Sequence, residues 1–297
     1  MVKEKFREIS LEKILSSNKI ILVDTSFFGT YYLGNLNGSS SPESPISKRE
    51  IRKLINAPNT FVIPQIIEEI KEMENGLNKI QERYSEGKGW EIWKTNKENH
   101  KMFFTQYQKP FQLFQDIQTI LNESGELIER MEEKVVRILD GKYEILVEMI
   151  KELDSKCHLK RKTREHKSQD YEGYSDVDEK LIASAFYLSL TTPLGTRPAI
   201  LTADKDFINL LGVTPRIMGA DVFYPENYQF KNAVLSNCPR LHVGNKGIFS
   251  DRVATNNCKF DKIIRMATKR DYKLEKKFKK LWERFHNLPE KSFDLAI

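Results

Sequence analysis

Two short aliphatic runs, each followed by aspartate, constrain this chain more than any other sequence feature. Residues 20–23 read IILV and lead into Asp24, while residues 199–202 read AILT and lead to Asp204 and Asp206. A short, uninterrupted aliphatic run is typical of a strand that is buried on both faces, as in a parallel sheet. Because ligand sites in such sheets form outside the carboxyl ends of the strands, we expect these aspartates to lie on one rim.

The order of the other elements predicts an α/β fold. FVIP at residues 61–64 predicts a second strand that feeds directly into a helix, because proline is well tolerated in a helix's first turn. Residues 175–190 predict a helix before AILT, and DVFYP at residues 221–225 predicts a further strand. Strands that alternate with helices in this way indicate a parallel sheet covered by helices.

A long helical insertion is predicted between about residues 72 and 174. This segment is rich in charge, and its apolar residues recur at helical spacing with candidate breaks at Gly87, Gly89 and Gly125. An aromatic stripe within it favours core packing over a base-stacking platform, since such platforms normally lie on exposed sheets or loops. The stripe comprises Phe103, Phe104, Tyr107, Phe111 and Phe114.

The 297 residues favour one elaborated domain with an appendage. We predict a domain at residues 1–235 that contains the insertion, followed by an extension at residues 236–297 with a hairpin and a basic helix.

Positive charge is concentrated in two segments of the chain. The net charge is +6, and residues 259–291 alone contain twelve Lys and Arg against five Asp and Glu. Residues 156–170 contain six Lys and Arg against two acids, which fits a solvated loop, a phosphate-contacting loop or both. The predicted nucleic-acid-binding residues are Lys160, Arg161, Lys162, Arg164, Lys269, Arg270, Lys273, Lys276 and Lys277.

Several classes of protein are disfavoured by what the sequence lacks. No apolar run reaches the roughly 18 residues of a membrane helix, and the first residues contain no apolar signal core. Three cysteines without CxxC spacing argue against a disulfide framework or a zinc finger. Neither GxxxxGK[ST] nor GxGxxG occurs in the sequence. We therefore expect a cytoplasmic protein that does not bind membranes.

Two further acids are predicted to join the aspartates at the sheet edge. Glu69 lies near the start of the helix after the second strand, with Glu68 as the alternative. Asp178 lies in the first turn of the helix before AILT, with Asp176 and Glu179 as alternatives. Each acid alone is typical of a turn, a cap or a helix-dipole interaction. Their joint placement favours a divalent cation, and hard oxygen ligands favour Mg²⁺ or Mn²⁺.

Four segments, in this order, resemble the acidic motifs of the PIN-domain nucleases: VDTS at 23–26, VIPQIIEEI at 62–70, DEKLIASA at 178–185 and LTADKDF at 201–207. The resemblance implies a three-layer α/β/α domain with a central parallel sheet, which binds Mg²⁺ or Mn²⁺ and hydrolyses phosphodiester bonds, most often in RNA. It gives catalytic and metal-binding roles to Asp24, Glu69, Asp178, Asp204 and Asp206. The long insertion and the basic extension depart from small toxin-type members of the family.

The favoured interpretation is a metal-dependent endoribonuclease that acts on single-stranded or structured RNA. The alternative is a non-catalytic PIN-like module that binds RNA or serves as a scaffold. A homodimer, or a protein partner that binds through the insertion, is compatible with both. A phosphatase of the haloacid dehalogenase type is disfavoured, because Ser26 stands where that family has its second aspartate.

Overall fold

A four-stranded parallel sheet organises the molecule. The computed structural model describes residues 11–29, 48–88, 110–157, 176–191, 198–202, 221–223 and 272–289. Within them the strands follow the order β2-β1-β3-β4, and each neighbouring pair is parallel. The predicted α/β class and parallel sheet are therefore confirmed. The strands are β1 (Ile20–Val23), β2 (Thr60–Phe61), β3 (Pro198–Leu201) and β4 (Asp221–Phe223).

The two aliphatic runs form the centre of this sheet. Strands β1 and β3 pair directly, and every residue in both is buried. Val23 lies opposite Leu201, and the backbone N–H of Asp24 donates to the Leu201 carbonyl at 2.9 Å. The apolar character of Ile20–Val23 and of residues 199–201 is thus explained by burial on both faces of the sheet.

The described helices are α1 (Leu11–Ser17), α2 (Lys48–Asn56), α3 (Pro64–Arg83), α4 (Pro110–Glu132), α5 (Gly141–Cys157), α6 (Val177–Thr191) and α7 (Tyr272–Asn287). Helix α3 begins at Pro64 as predicted and leads into a π-helical turn, Tyr84–Lys88. Gly87 in this turn has a φ of 80°, a left-handed conformation that favours glycine, which confirms the break predicted there. Gly89 lies outside the described residues.

The break predicted at Gly125 is wrong, because α4 continues through this residue. A glycine inside a helix costs about 1 kcal/mol relative to alanine. The buried side chains of Ile120, Leu127 and Ile128 on either side pack into the core and offset that cost.

The helical insertion shares its core with the sheet. Residue Val135, just after α4, forms a parallel bridge with Val62, and the Val136 N–H donates to the Val62 carbonyl at 2.8 Å. Phe114 of α4 is buried and stacks on Tyr84, with 3.5 Å between ring centroids, as core packing predicts. Phe103, Phe104 and Tyr107 of the aromatic stripe lie outside the described residues.

Helix α7 also belongs to this core. Its Leu281 and Phe285 are buried in the same hydrophobic cluster as the sheet, and α7 packs on α5. The predicted boundary between residues 235 and 236 lies outside the described residues. None of the helices described here combines the length and the apolar character needed to span a bilayer.

A buried polar contact fixes α6 against α5. Asp140 caps α5 by accepting from the Lys142 N–H at 2.8 Å, and its other carboxylate oxygen accepts from the Tyr187 hydroxyl at 2.7 Å. Burial, together with the hydrogen bond to Asp140, raises the pKa of Tyr187 well above its usual range, so the phenol remains a donor. The contact holds the helix that carries Asp178 in a defined position.

Candidate functional site

The carboxyl ends of β1 and β3 lie side by side where the chain's connections diverge. The connection that leaves β1 leads to β2 on one side, while the connection that leaves β3 leads to β4 on the other. In open parallel sheets, ligands bind in the crevice at such a switch point. Asp24 and Thr202 are the first residues after these two strands, so both lie at that point.

Asp24 is buried there and is held by hydroxyl groups. Asp24 is only 3% exposed, and its Oδ2 accepts a hydrogen bond from the Thr202 hydroxyl at 2.7 Å. The same oxygen accepts from the Ser26 hydroxyl and, at 3.3 Å, from the Ser26 backbone N–H. Asp24 thus caps the helical turn at residues 25–29, as an aspartate after a strand often does, and two hydroxyls also fix its side chain.

The three oxygen atoms at this point share two hydroxyl protons. Ser26 Oγ and Thr202 Oγ1 lie 3.0 Å apart, and each also contacts Asp24 Oδ2. A hydroxyl carries one proton, so both can donate to Asp24 only when Oδ2 itself carries none. Oδ2 therefore acts as the acceptor for both hydroxyls, which fixes the orientation of the Asp24 side chain.

Glu69 is brought beside Asp24 through Thr25. The Thr25 hydroxyl donates to the Glu69 carboxylate, and Thr25, the neighbour of Asp24 in sequence, is buried. Helix α3 buries Ile66, Ile67 and Ile70, which leaves Glu69 half-buried at the border of that face and Glu68 exposed. Of the two glutamates considered from the sequence, Glu69 is the one that contacts the strand end.

The three acids at the start of α6 differ in their surroundings. Asp176 forms ion pairs with Lys151 and, at 2.9 Å, with Lys180. Burial alone would raise the pKa of Asp176, but its hydrogen bonds to the two lysines outweigh burial and lower it. Asp178 is half-buried and Glu179 is buried. Asp176 therefore already serves to join α5 and α6.

The start of α6 lies toward the edge of the sheet that carries Asp24. Helix α6 packs on β3, and residues 192–197 join its end to the beginning of that strand. A helix that returns along a parallel strand in this way begins near the strand's carboxyl end. Asp178 and Glu179 lie in the first turn of α6, and therefore toward the carboxyl ends of the strands, as Asp24 does.

The other predicted site residues are described only in part. Asp204, Asp206, Lys160, Arg161, Lys162, Arg164, Lys269 and Arg270 lie outside the described residues. Within the described residues, no group of three or more His, Cys, Asp and Glu is placed to hold a metal ion.

On helix α7, the two predicted RNA-binding lysines with described side chains have different surroundings. Lys276 is exposed, whereas Lys277 forms ion pairs with Glu152 at 2.6 Å and Glu148 at 3.5 Å. These contacts raise the pKa of Lys277, the hydrogen bond to Glu152 being the largest cause. Lys277 thus joins α7 to α5, and Lys273 also lies in α7.

Thr202, which contacts Asp24, was not among the site residues predicted from the sequence. Its signal was nevertheless present, since it follows the second aliphatic run directly, as Asp24 follows the first. The register that pairs Val23 with Leu201 brings the two following residues together.

In comparisons with known proteins, no family model matches this sequence, and no curated protein or solved structure is significantly similar to it.

Proposed function

We propose that this protein is a Mg²⁺- or Mn²⁺-dependent nuclease of PIN type that hydrolyses phosphodiester bonds in RNA as an endoribonuclease. One observation carries the proposal. A buried aspartate, Asp24, is fixed by the hydroxyls of Ser26 and Thr202 at the switch point of a parallel sheet. A second carboxylate, Glu69, is one residue away through Thr25.

The residues at this point suit a hard divalent cation. Asp24 and Glu69 offer carboxylate oxygens, the ligands that Mg²⁺ and Mn²⁺ favour, and in our proposal Asp178, Asp204 and Asp206 complete the set. A cation bound there would lower the pKa of a bound water and polarise a phosphoryl oxygen. Ser26 and Thr202 would keep Asp24 oriented.

The strand order supports a three-layer α/β/α arrangement. The crossover from β1 to β2 runs in one direction along the sheet, and the crossover from β2 to β3 runs in the other. Parallel crossovers are right-handed in nearly all proteins, so connections that run in opposite directions cover opposite faces of the sheet. This arrangement is part of the proposal.

A cleavage assay tests the proposal. The purified protein should cut single-stranded or structured RNA when Mn²⁺ or Mg²⁺ is present, and EDTA should stop the reaction. Asp24→Asn and Glu69→Gln should each abolish cutting while the circular dichroism spectrum stays unchanged. Glu68→Gln, a change of the same kind on the exposed side of α3, is the matched control and should cut normally. Cutting by Asp24→Asn at the wild-type rate would refute the proposal.

A second candidate is a non-catalytic PIN-like RNA-binding module. It is favoured by the contacts of Asp24 and Glu69, whose carboxylates accept hydrogen bonds from hydroxyls and so have polar partners without a cation. A calorimetric titration with Mn²⁺ separates the two functions. The nuclease should bind Mn²⁺ and lose that binding on Asp24→Asn, whereas the module should bind RNA without binding the ion.

A further inference from the structure

A basic groove lies between α1 and α2, on another part of the molecule from the site at Asp24. Its volume is about 680 Å³, and it is lined by Leu15, Arg49, Arg52, Lys53, Asn56 and Ala57. Beyond the end of α2, the side chain of Asn59 donates to the backbone carbonyls of Leu15, at 2.7 Å, and Asn18, and so joins the end of α1 to the segment before β2. Strand β2 begins at Thr60, so this part of the groove lies at the end of the sheet where the strands begin. Asp24 lies at the opposite end, where the strands finish.

The lining residues of α2 form one face of the helix. Arg49, Arg52, Lys53 and Asn56 follow the spacing i, i+3, i+4 and i+7, which places them on one side. The buried residues of α2 lie on the other side, and they are Ile51, Leu54 and Ile55. The core therefore does not explain why three cations occupy the outer face.

The positive charge of this face is only partly balanced. Lys53 forms an ion pair with Glu12, but Arg49 and Arg52 are exposed and have no acidic partner among the described residues. Like charges three residues apart on a helix repel each other, and a cation in the first turn opposes the helix dipole. The two arginines thus act against the stability of α2, which is expected of residues that serve an anionic ligand.

A third guanidinium group lies next to the groove. Arg130 of α4 donates to the Asn56 side chain at 2.6 Å and pairs with Glu126 at 2.6 Å. Arginine suits phosphate because its planar group can donate two parallel hydrogen bonds to phosphate oxygens. Strand β1 has four residues at about 3.3 Å each, so the two ends of the sheet, measured along the strands, are roughly 13 Å apart. One polynucleotide strand can span such a distance.

We propose that this groove binds the phosphate backbone of RNA at a distance from the cleavage site. The choice of RNA as the anion rests on the proposed function. The groove would hold a part of the strand that is not cut, and so would add affinity without taking part in the chemistry.

The test is a binding titration with a fluorescent, unstructured RNA in EDTA, so that no cleavage takes place. The double variant Arg49→Gln/Arg52→Gln removes two phosphate contacts. Counter-ion release from single strands contributes about 0.7 to the slope of log K against log salt per phosphate contact. The variant should therefore bind about 25-fold more weakly at about 0.1 M salt, with a slope shallower by about 1.4.

The matched control is Lys79→Gln/Arg83→Gln, which removes two exposed cations from one face of α3. It should bind RNA with nearly the wild-type affinity and slope. Circular dichroism checks that both double variants are folded. Equal affinity of the groove variant and the wild type, or no RNA binding by the wild type, would overturn the proposed groove.

Separate readouts distinguish a failure of the groove from a failure of the nuclease. RNA binding is measured in EDTA and cleavage is measured with Mn²⁺, so the two functions are read separately. Wild-type protein that binds RNA through the groove but never cuts it would refute the nuclease alone. If the protein does cut, the groove variant should raise KM and leave kcat nearly unchanged. A fall in kcat without a change in KM would contradict a role in binding.

Discussion

Replacing Thr202 with valine tests whether its hydroxyl holds a charged Asp24. Thr202 is fully buried, and its hydroxyl donates to Asp24 Oδ2 at 2.7 Å. Valine keeps the shape of the side chain and removes the hydroxyl, which also contacts Ser26 Oγ. Hydrogen bonds to charged groups contribute about 1.5–3 kcal/mol to stability, whereas neutral ones contribute about 0.5–1.5 kcal/mol. Thr202→Val should therefore lower the free energy of unfolding by about 1.5–3 kcal/mol.

A double-mutant cycle gives the sharper measurement. Urea unfolding is followed for the wild type, Thr202→Val, Asp24→Asn and the double variant. Because asparagine is neutral, Thr202→Val should lower the free energy of unfolding by about 1 kcal/mol less in the Asp24→Asn protein than in the wild type. Thr119→Val is the control, since it removes an exposed helical hydroxyl that donates to a backbone carbonyl, and it should change stability by less than about 0.5 kcal/mol. An equal cost of Thr202→Val in both backgrounds would refute the charged contact.

The other predictions concern the acids of α6, a buried phenol and the C-terminal helix. Asp178→Asn should abolish RNA cleavage, whereas Asp176→Asn should cut normally, because Asp176 already pairs with two lysines. Asp176→Asn should lose at most about 1 kcal/mol of stability, since partly exposed ion pairs contribute little. The reverse result in the cleavage assay would assign the third acid to Asp176. Because the pKa of Tyr187 is raised in the folded protein, the unfolded chain releases this proton first as pH rises, so the free energy of unfolding should fall above about pH 10. In urea titrations across this range, the free energy of unfolding of Tyr187→Phe should fall less steeply than that of the wild type. Lys276→Gln should weaken RNA binding more than Lys277→Gln, which is already ion-paired, and equal losses in a binding titration would contradict this.

The central strands and the start of α3 could be predicted because local sequence dictates them. IILV and the AIL of residues 199–201 have no polar face, which favours a strand buried between two layers. Pro64 fixes the start of α3 for an equally local reason. Gly125 was misjudged because tertiary packing on both sides of a residue can override its poor helix propensity.

The partners of the site residues could not be predicted, because they are set by contacts between distant parts of the chain. Thr202 and Asp24 meet only because β1 pairs with β3 in one register. The three acids at the start of α6 are equivalent by spacing, and only the position of α5 shows that Lys151 pairs with Asp176. Asp204 and Asp206 remain a prediction, since they lie outside the described residues.

The distribution of charge in the folded protein changes which cations are expected to bind RNA. By sequence, residues 259–291 are the most basic part of the chain. In the structure, α7 turns Leu281 toward the core and uses Lys277 to bind acids of α5, so part of that charge is neutralised within the protein. Counter-ion release follows the cations that reach phosphate rather than the net charge. The exposed pair Arg49 and Arg52 should therefore contribute more to the salt dependence of RNA binding than Lys277 does.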